Sequence, residues 1–245
     1  MRQINYGTRA RLGLILPSGN QLAEPQLAAL MPSGVSMHTT RLALTGSSQH
    51  ELMRMADSVE EAASLLRDAE PDLILFHCTA VSSFSEALEA QLVRRIESSG
   101  GRRATTTAQA LIASLTAVEA RRIVMLSPYC DEVNAREATF FRSAGFDICA
   151  VAGFGFRGVA DMMAITPERW KEFAVDHRDP SADAYVISCT ATRSLEAIHD
   201  LEAILGRPVI TSNSAAFWHA MALMGIDDPI SGAGQLLMQP LRSAR

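Results

Sequence analysis

LILFHCTAVSSF at residues 73–84 and YVISCTATRSLEA at residues 185–197 are two versions of one phrase. Each is a short apolar run that ends in Cys-Thr-Ala and passes into a helical pattern. Cys78 and Cys189 stand 111 positions apart, and so do Pro17 and Pro128. Working outward, short apolar runs occur at 12–16, 35–42, 73–78 and 104–107, and again at 123–126, 146–151, 184–189 and 208–211. Between them lie segments such as 51–67, 84–96, 134–143 and 195–205, whose apolar residues recur with the helical period. The apolar runs are continuous rather than alternating, which predicts strands buried on both faces, as in the parallel sheets of α/β proteins. Three of the four pairs of runs keep an offset near 111 residues, and RRATTTAQAL pairs loosely with RPVITSNSAAF. Two copies at so long a period exclude a solenoid.

The expected fold is therefore α/β: two similar lobes, each a four-stranded parallel sheet flanked by helices, related by a pseudo-two-fold axis. Residues 1–117 form the first lobe and 118–217 the second, with 218–245 packing back on the first. The 245 residues, 48% of them apolar, are enough for a sizeable core. A formal net charge of −5 argues against a general nucleic-acid binder. No run of about 18 apolar residues is available to span a membrane. The basic N-terminus leads into an apolar run of only about five residues that ends in Pro-Ser-Gly, which is a strand meeting a loop and not a signal peptide. The expectation is a cytoplasmic protein. The four cysteines Cys78, Cys130, Cys149 and Cys189 form no C-x-x-C pair, which disfavours zinc and disulfides.

Ligands in open parallel sheets bind beyond the carboxyl ends of the strands, where Cys78 and Cys189 fall. A helix start after each would cradle an anion and lower the thiol pKa below its free value of about 8.5. Facing one cleft, the two thiols can move protons on either face of a small anion, or one can attack while the other protonates. A single cysteine at a strand end is more often core than catalytic. Two at equivalent positions, each followed by Thr-Ala, favour function. Cys130 and Cys149 have no such mates and are read as a loop residue and a strand-core residue.

Asn20 and Tyr129 follow the first and fifth runs, and each can donate a hydrogen bond to a carboxylate. Thr106, Thr107, Ser212 and Asn213 stand at further strand ends, where helix capping is the plainer explanation. His77 adjoins Cys78 but points to the opposite face of its strand, making it a poor base for that thiol. His199 and His219 read as structural, and no metal-binding cluster is evident. Gly153-x-Gly155-x-x-Gly158 matches a dinucleotide fingerprint as a string but lacks the acidic partner about 20 residues on, so it reads as turn glycines. Met162-Met163 reads as core.

PSGNQLAEP at 17–25, CTAVSSF at 78–84, SPYCDEVN at 127–134 and SCTATRSLEAIHDLEAILGRPVITSNSAAFW at 188–218 together resemble the aspartate/glutamate racemase superfamily. Within it, the likeness is to the branch of maleate cis-trans isomerases and arylmalonate decarboxylases. It covers nearly the whole chain. The resemblance implies two α/β lobes around a substrate cleft, with no cofactor and no metal. Decarboxylases of the branch keep only the second thiol, with Gly in place of the first. The presence of both Cys78 and Cys189 implies the isomerase or racemase type.

By the same resemblance, Cys78 would add to the double bond of maleate, giving a succinyl-cysteine adduct, and Cys189 would protonate or deprotonate the neighbouring carbon. Asn20 and Tyr129 would bind carboxylate oxygens. The backbone N–H groups of Thr79, Ala80, Thr190 and Ala191 would hold the carboxylates and any enediolate. One departure concerns the loop 153–161, which has no Asn where maleate isomerases usually carry one. Arg157 is the candidate replacement, while Phe154 and Phe156 would suit a bulkier substrate. The partner expected is a small carboxylate, and a homo-oligomer is the usual assembly. The alternatives are a racemase or a malonate decarboxylase using the same thiols, and a binding protein that has lost turnover.

Overall fold

The computed structural model describes residues 5–230 and 232–239. The first half runs β1 (Ala10–Pro17), α1 (Ala23–Leu30), β2 (Val35–Leu42), α2 (Gln49–Asp57), α3 (Val59–Arg67), β3 (Leu73–Phe76), α4 (Thr79–Ser82), α5 (Glu86–Gly100), β4 (Ala104–Thr106) and α6 (Thr107–Ala117). The second half opens with β5 (Arg122–Tyr129), α7 (Asp131–Ser143), β6 (Asp147–Phe156), α8 (Val159–Ala164), α9 (Pro167–Asp176) and β7 (Ala184–Ile187). A 3-10 turn at Leu195–Ala197, α10 (Ile198–Leu205), β8 (Val209–Thr211), α11 (Ser212–Leu223) and α12 (Gln235–Met238) complete it. The two sheets have the orders β2-β1-β3-β4 and β6-β5-β7-β8, and every pairing is parallel. The expected two-lobe α/β architecture is the one observed.

Period-two alternation divides the strand side chains between cores. Leu12, Leu14 and Leu16 with Leu73 and Leu75 face a central core that also receives Ile123, Met125 and Val186 from the second sheet. Helices α6 and α11 supply Leu111, Leu115, Phe217 and Trp218 to that same core, so the halves are fused through it. The other faces of the two sheets pack separately. Ile74 and Phe76 lie with Leu52 and Leu66, and Val124 and Leu126 with Trp170 and Leu201.

Three sequence expectations need correction. First, β2 and β6 are only partly buried, because each is a sheet edge with a neighbour on one side. Cys149 accordingly sits half-buried in β6, at a register shift opposite Ile123 and Val124, and not in a strand core. Second, the 51–67 helix is two helices meeting at Ser58, and a capping box between Ser48 and Glu51 starts the first. Third, Gly153 and Gly155 belong to β6, so they are not turn glycines.

The segment expected to pack back on the first lobe ties to both. Arg103 donates to the Leu223 carbonyl and Arg9 pairs with Asp228, but the Gln235 N–H donates to Glu202 of the second half at 2.9 Å. Residues 231 and 240–245 of that segment lie outside the described residues. Among the described residues, no helix is long and apolar enough to cross a membrane.

Candidate active site

Cys78 and Cys189 line one cavity, together with Asn20, Tyr129, Ala80, Thr190 and Ala191. All seven are buried, and they come from the carboxyl ends of β1, β3, β5 and β7. Topology brings them together: each lobe's two central strands end at the same rim, and the lobes face one another across it.

The two cysteines are not conformationally equivalent. Cys78 is extended (φ −147°) and precedes the single turn of α4. Cys189 has φ +101°, a region that a residue with a Cβ rarely adopts and that costs on the order of 1–3 kcal/mol. Its amide donates to Ser212 Oγ at 3.0 Å, and the Ala191 N–H turns back to its Sγ at 3.4 Å. No helix directly follows Cys189, since the 3-10 turn begins only at Leu195. The expected helix start after both cysteines is therefore present for Cys78 alone, and there it is one turn long.

The expected thiol acidity is reversed as well. Burial above all pushes both thiols up to about 12, with the neighbouring charge of Glu137 contributing at each and that of Cys189 at Cys78. Opposing this, the N–H groups of Val81 and Ala80 favour the Cys78 thiolate, while the Tyr129 hydroxyl and the Ala191 N–H favour that of Cys189. Desolvation outweighs these donors. Burial likewise holds Tyr129 well above the usual phenol range, so it stands as a proton donor.

The expected carboxylate-binding groups have prior engagements. Asn20 Oδ1 accepts from the Leu22 and Ala23 N–H groups at 2.9 and 3.0 Å, capping α1, and its Nδ2 donates to Thr190 Oγ1 at 3.0 Å. It is a cap and a cavity wall at once, with one amide hydrogen still free of these bonds. Thr79 is placed otherwise: it does not line the cavity, and its hydroxyl donates to Ser212 Oγ at 2.8 Å. Thr79, Ser212 and the Cys189 amide thus form a chain between the two cysteine loops. Thr106 caps α6, and Asn213 bridges Gln26, the Thr190 carbonyl and His77.

His77 is fully buried, hydrogen-bonded to Thr107 Oγ1 (3.0 Å) and Asn213 Oδ1 (2.9 Å), and pushed down to about 4 by burial. It is a neutral cross-link between the lobes. Among the described residues, no three His, Cys, Asp or Glu side chains converge as a metal site would require.

The loop 153–161 departs from expectation too. Arg157 is solvent-exposed beside Glu132 and does not reach the cavity. Phe154 stacks on Phe173 and meets the edge of Trp170, and Phe156 stacks on Phe154, so neither ring lines the cavity. The lining from this side is Val159 and Met162, the latter buried and a cavity wall together. The opposite wall, missed from sequence, is Leu44–Ser47 after β2 with Leu52 of α2. Gly46 and Gly158 form an antiparallel bridge that closes these two loops over the cleft. The strand-end rule applied to β2 would have found that loop. Glu137 was missed also, although it falls among the inward residues Val133, Ala138 and Phe141 of α7, where an acid is out of place.

The sequence model of the arylmalonate decarboxylase family matches residues 12–237. The chain belongs to that family. Similar members include a maleate isomerase of Nocardia farcinica, 25% identical over 240 residues that cover 94% of this chain and 96% of its relative. The arylmalonate decarboxylase of Bordetella bronchiseptica is 26% identical over 217 residues, covering 87% and 90%. Among solved structures, a cysteine-to-serine mutant of Nocardia farcinica maleate cis-trans isomerase with a covalently bound succinylcysteine intermediate superimposes with a TM-score of 0.88. It is 24% identical and covers 94% of this chain and 98% of its own, which establishes the shared fold. These family members are enzymes, and so is this chain.

Proposed function

We propose that this enzyme is a cis-trans isomerase of a small dicarboxylate, converting maleate to fumarate, with Cys78 as nucleophile and Cys189 as proton carrier. The observation that carries the reading is the convergence of both thiols on one cavity from the two lobes. Cys78 Sγ, as thiolate, forms a bond to one alkene carbon. The π pair moves to the neighbouring carbon and its carboxylate, and Cys189 delivers its proton to that carbon. The resulting succinyl adduct has a carbon–carbon single bond and rotates. Cys189 then takes a proton back, and the C–S bond breaks with its electrons returning to sulfur.

Tyr129 and the free Nδ2 hydrogen of Asn20 are the donors proposed for the carboxylates. The Ala80 and Ala191 N–H groups act on the sulfurs, so they steady the thiolates in place of binding substrate directly. Burial opposes thiolate formation, so the reactive thiolate is a minor form, favoured by the N–H groups of Val81 and Ala80.

A second reading, decarboxylation of a substituted malonate or racemisation of an α-substituted acid, is favoured by one observation: the apolar wall of Leu44, Leu52, Val159 and Met162. Proton NMR of maleate with the purified enzyme and a thiol reductant decides between them. Fumarate that grows with the wild type and is absent with Cys78→Ala supports the isomerase. Its absence from both, with turnover of an aryl- or alkyl-malonate, overturns it in favour of the second reading.

A further inference from the structure

Glu137 is 1% exposed, at a position where an acid has no solvent to carry its charge. Ser83 Oγ, just past the Cys78 turn, donates to its Oε1 at 3.3 Å. On the other side stands Ser188, the residue before Cys189, near enough to favour the carboxylate. Neither Glu137 Oε2 nor Ser188 Oγ completes a well-formed hydrogen bond, so this contact is close but poorly aligned. The carboxyl therefore sits between the two cysteine loops, hydrogen-bonded to Ser83 of one and facing Ser188 of the other.

Its place in the duplication strengthens the case. Glu137 is 111 positions after Gln26, the offset that relates the two cysteines. The Gln26 amide reaches across to the Cys189 loop, donating to the Thr192 carbonyl at 2.9 Å. Each lobe thus sends one side chain from its first helix to the other lobe's cysteine loop. In the first lobe that side chain is a neutral amide, and in the second it is an ionisable acid.

We propose that Glu137 is a positioning residue that enters the reaction as the neutral acid, holding the two cysteine loops together without adding negative charge beside the thiolate. The inference rests on the reading of Cys78 as nucleophile. The titratable and charged groups around it are Cys78 and Cys189 on the two loops, Tyr129 at the end of β5, and Arg136 on its own helix. Arg136 offers limited compensation, since its guanidinium pairs with Glu132 and lies over the Phe84 ring. Burial holds the Glu137 carboxyl up at about 7, so it changes charge near neutral pH. Once ionised it opposes ionisation of both thiols and of the Tyr129 phenol.

The test is the pH profile of Cys78 alkylation by iodoacetamide, followed by peptide mass spectrometry, in wild type and Glu137→Gln. Gln reproduces the neutral acid but cannot ionise. A neighbouring like charge shifts a pKa by on the order of one unit, so the variant should alkylate about tenfold faster than wild type near pH 8 and at a similar rate near pH 6. Superimposable profiles, or a change equal at every pH, overturn the proposal, because a purely structural role has no pH signature. Should Glu137→Gln fail to fold, Ser83→Ala decides. Loss of that donor to the carboxylate raises the carboxyl's pKa, moving the wild-type break in the profile upward, and an unmoved break overturns the proposal. Alkylation needs no substrate. A shifted profile in an enzyme that makes no fumarate would fault the isomerase reading, and an unshifted profile in one that does would fault only the role of Glu137.

Discussion

Replacing Glu137 with Gln should make the protein's stability less sensitive to alkaline pH, by an amount that follows from the burial of this one carboxyl. Its pKa rises from 4.5 in the unfolded chain to about 7 in the fold. Between those values the native state holds a proton that the unfolded state has lost, so stability falls as pH rises and is fully reduced above the folded pKa. A shift of that size is worth about 3 kcal/mol at about 1.36 kcal/mol per unit. His77 works in the opposite direction. Burial lowers it from 6.5 to about 4, so its stabilising contribution is lost as pH falls through that interval. His219, likewise pushed down to about 4 by burial, adds to the His77 slope, so a wild-type curve alone would conceal the Glu137 contribution. Both histidines are common to wild type and variant, however, and drop out of their difference. Urea unfolding followed by the fluorescence of the buried Trp170 and Trp218 gives that difference at about pH 5 and about pH 8. Glu137→Gln should gain about 2–3 kcal/mol on wild type between the two conditions, slightly less than the full value because the unfolded carboxyl is still partly protonated at about pH 5, and a large part of a typical total stability of about 5–15 kcal/mol. A difference constant to within about 0.5 kcal/mol would show that Glu137 is ionised in both conditions and refute the reasoning.

Cys78→Ala and Cys189→Ala should each abolish fumarate formation while leaving circular dichroism unchanged, whereas Cys130→Ala keeps full activity; retained turnover in either of the first two removes the two-thiol mechanism. Tyr129→Phe should slow turnover and lower the alkylation rate of Cys189, since the hydroxyl that favours its thiolate is gone; an unchanged Cys189 rate would place that hydroxyl elsewhere. Gly153→Ala puts a Cβ against Asn134 Nδ2 and the Tyr129 carbonyl. Overpacking of this kind costs about 1–3 kcal/mol, and thermal unfolding should register it together with a loss of activity from the displaced Tyr129. His77→Ala leaves Thr107 and Asn213 without their bridge, and a destabilisation of about 2–4 kcal/mol at neutral pH should be visible by urea unfolding.

The duplication, the parallel sheets and the pairing of Cys78 with Cys189 were legible in the chain because they depend on local pattern. An apolar run marks a strand, an offset of 111 marks a repeat, and strand ends mark the rim. The Leu44–Ser47 wall was legible by the same rule and was passed over, since nothing in its composition announces a site. Three matters were not legible. The acidity of the thiols was inferred from helix starts, a local feature, yet it is decided by desolvation, which depends on everything packed around the cleft. Phe154 and Phe156 end β6 and Arg157 follows it, but strand alternation sends both rings to the core of the second lobe and leaves Arg157 in solvent. The positive φ of Cys189 has no composition signal, and the Thr79–Ser212 link joins residues more than a hundred positions apart. By itself, then, the sequence determined the two-lobe architecture and the residue types brought to the rim, because periodicity and strand ends are properties of short segments. Only the tertiary structure decided which of those groups face the cleft and which proton each holds, because burial and cross-lobe hydrogen bonding exist only once the two halves have closed on each other.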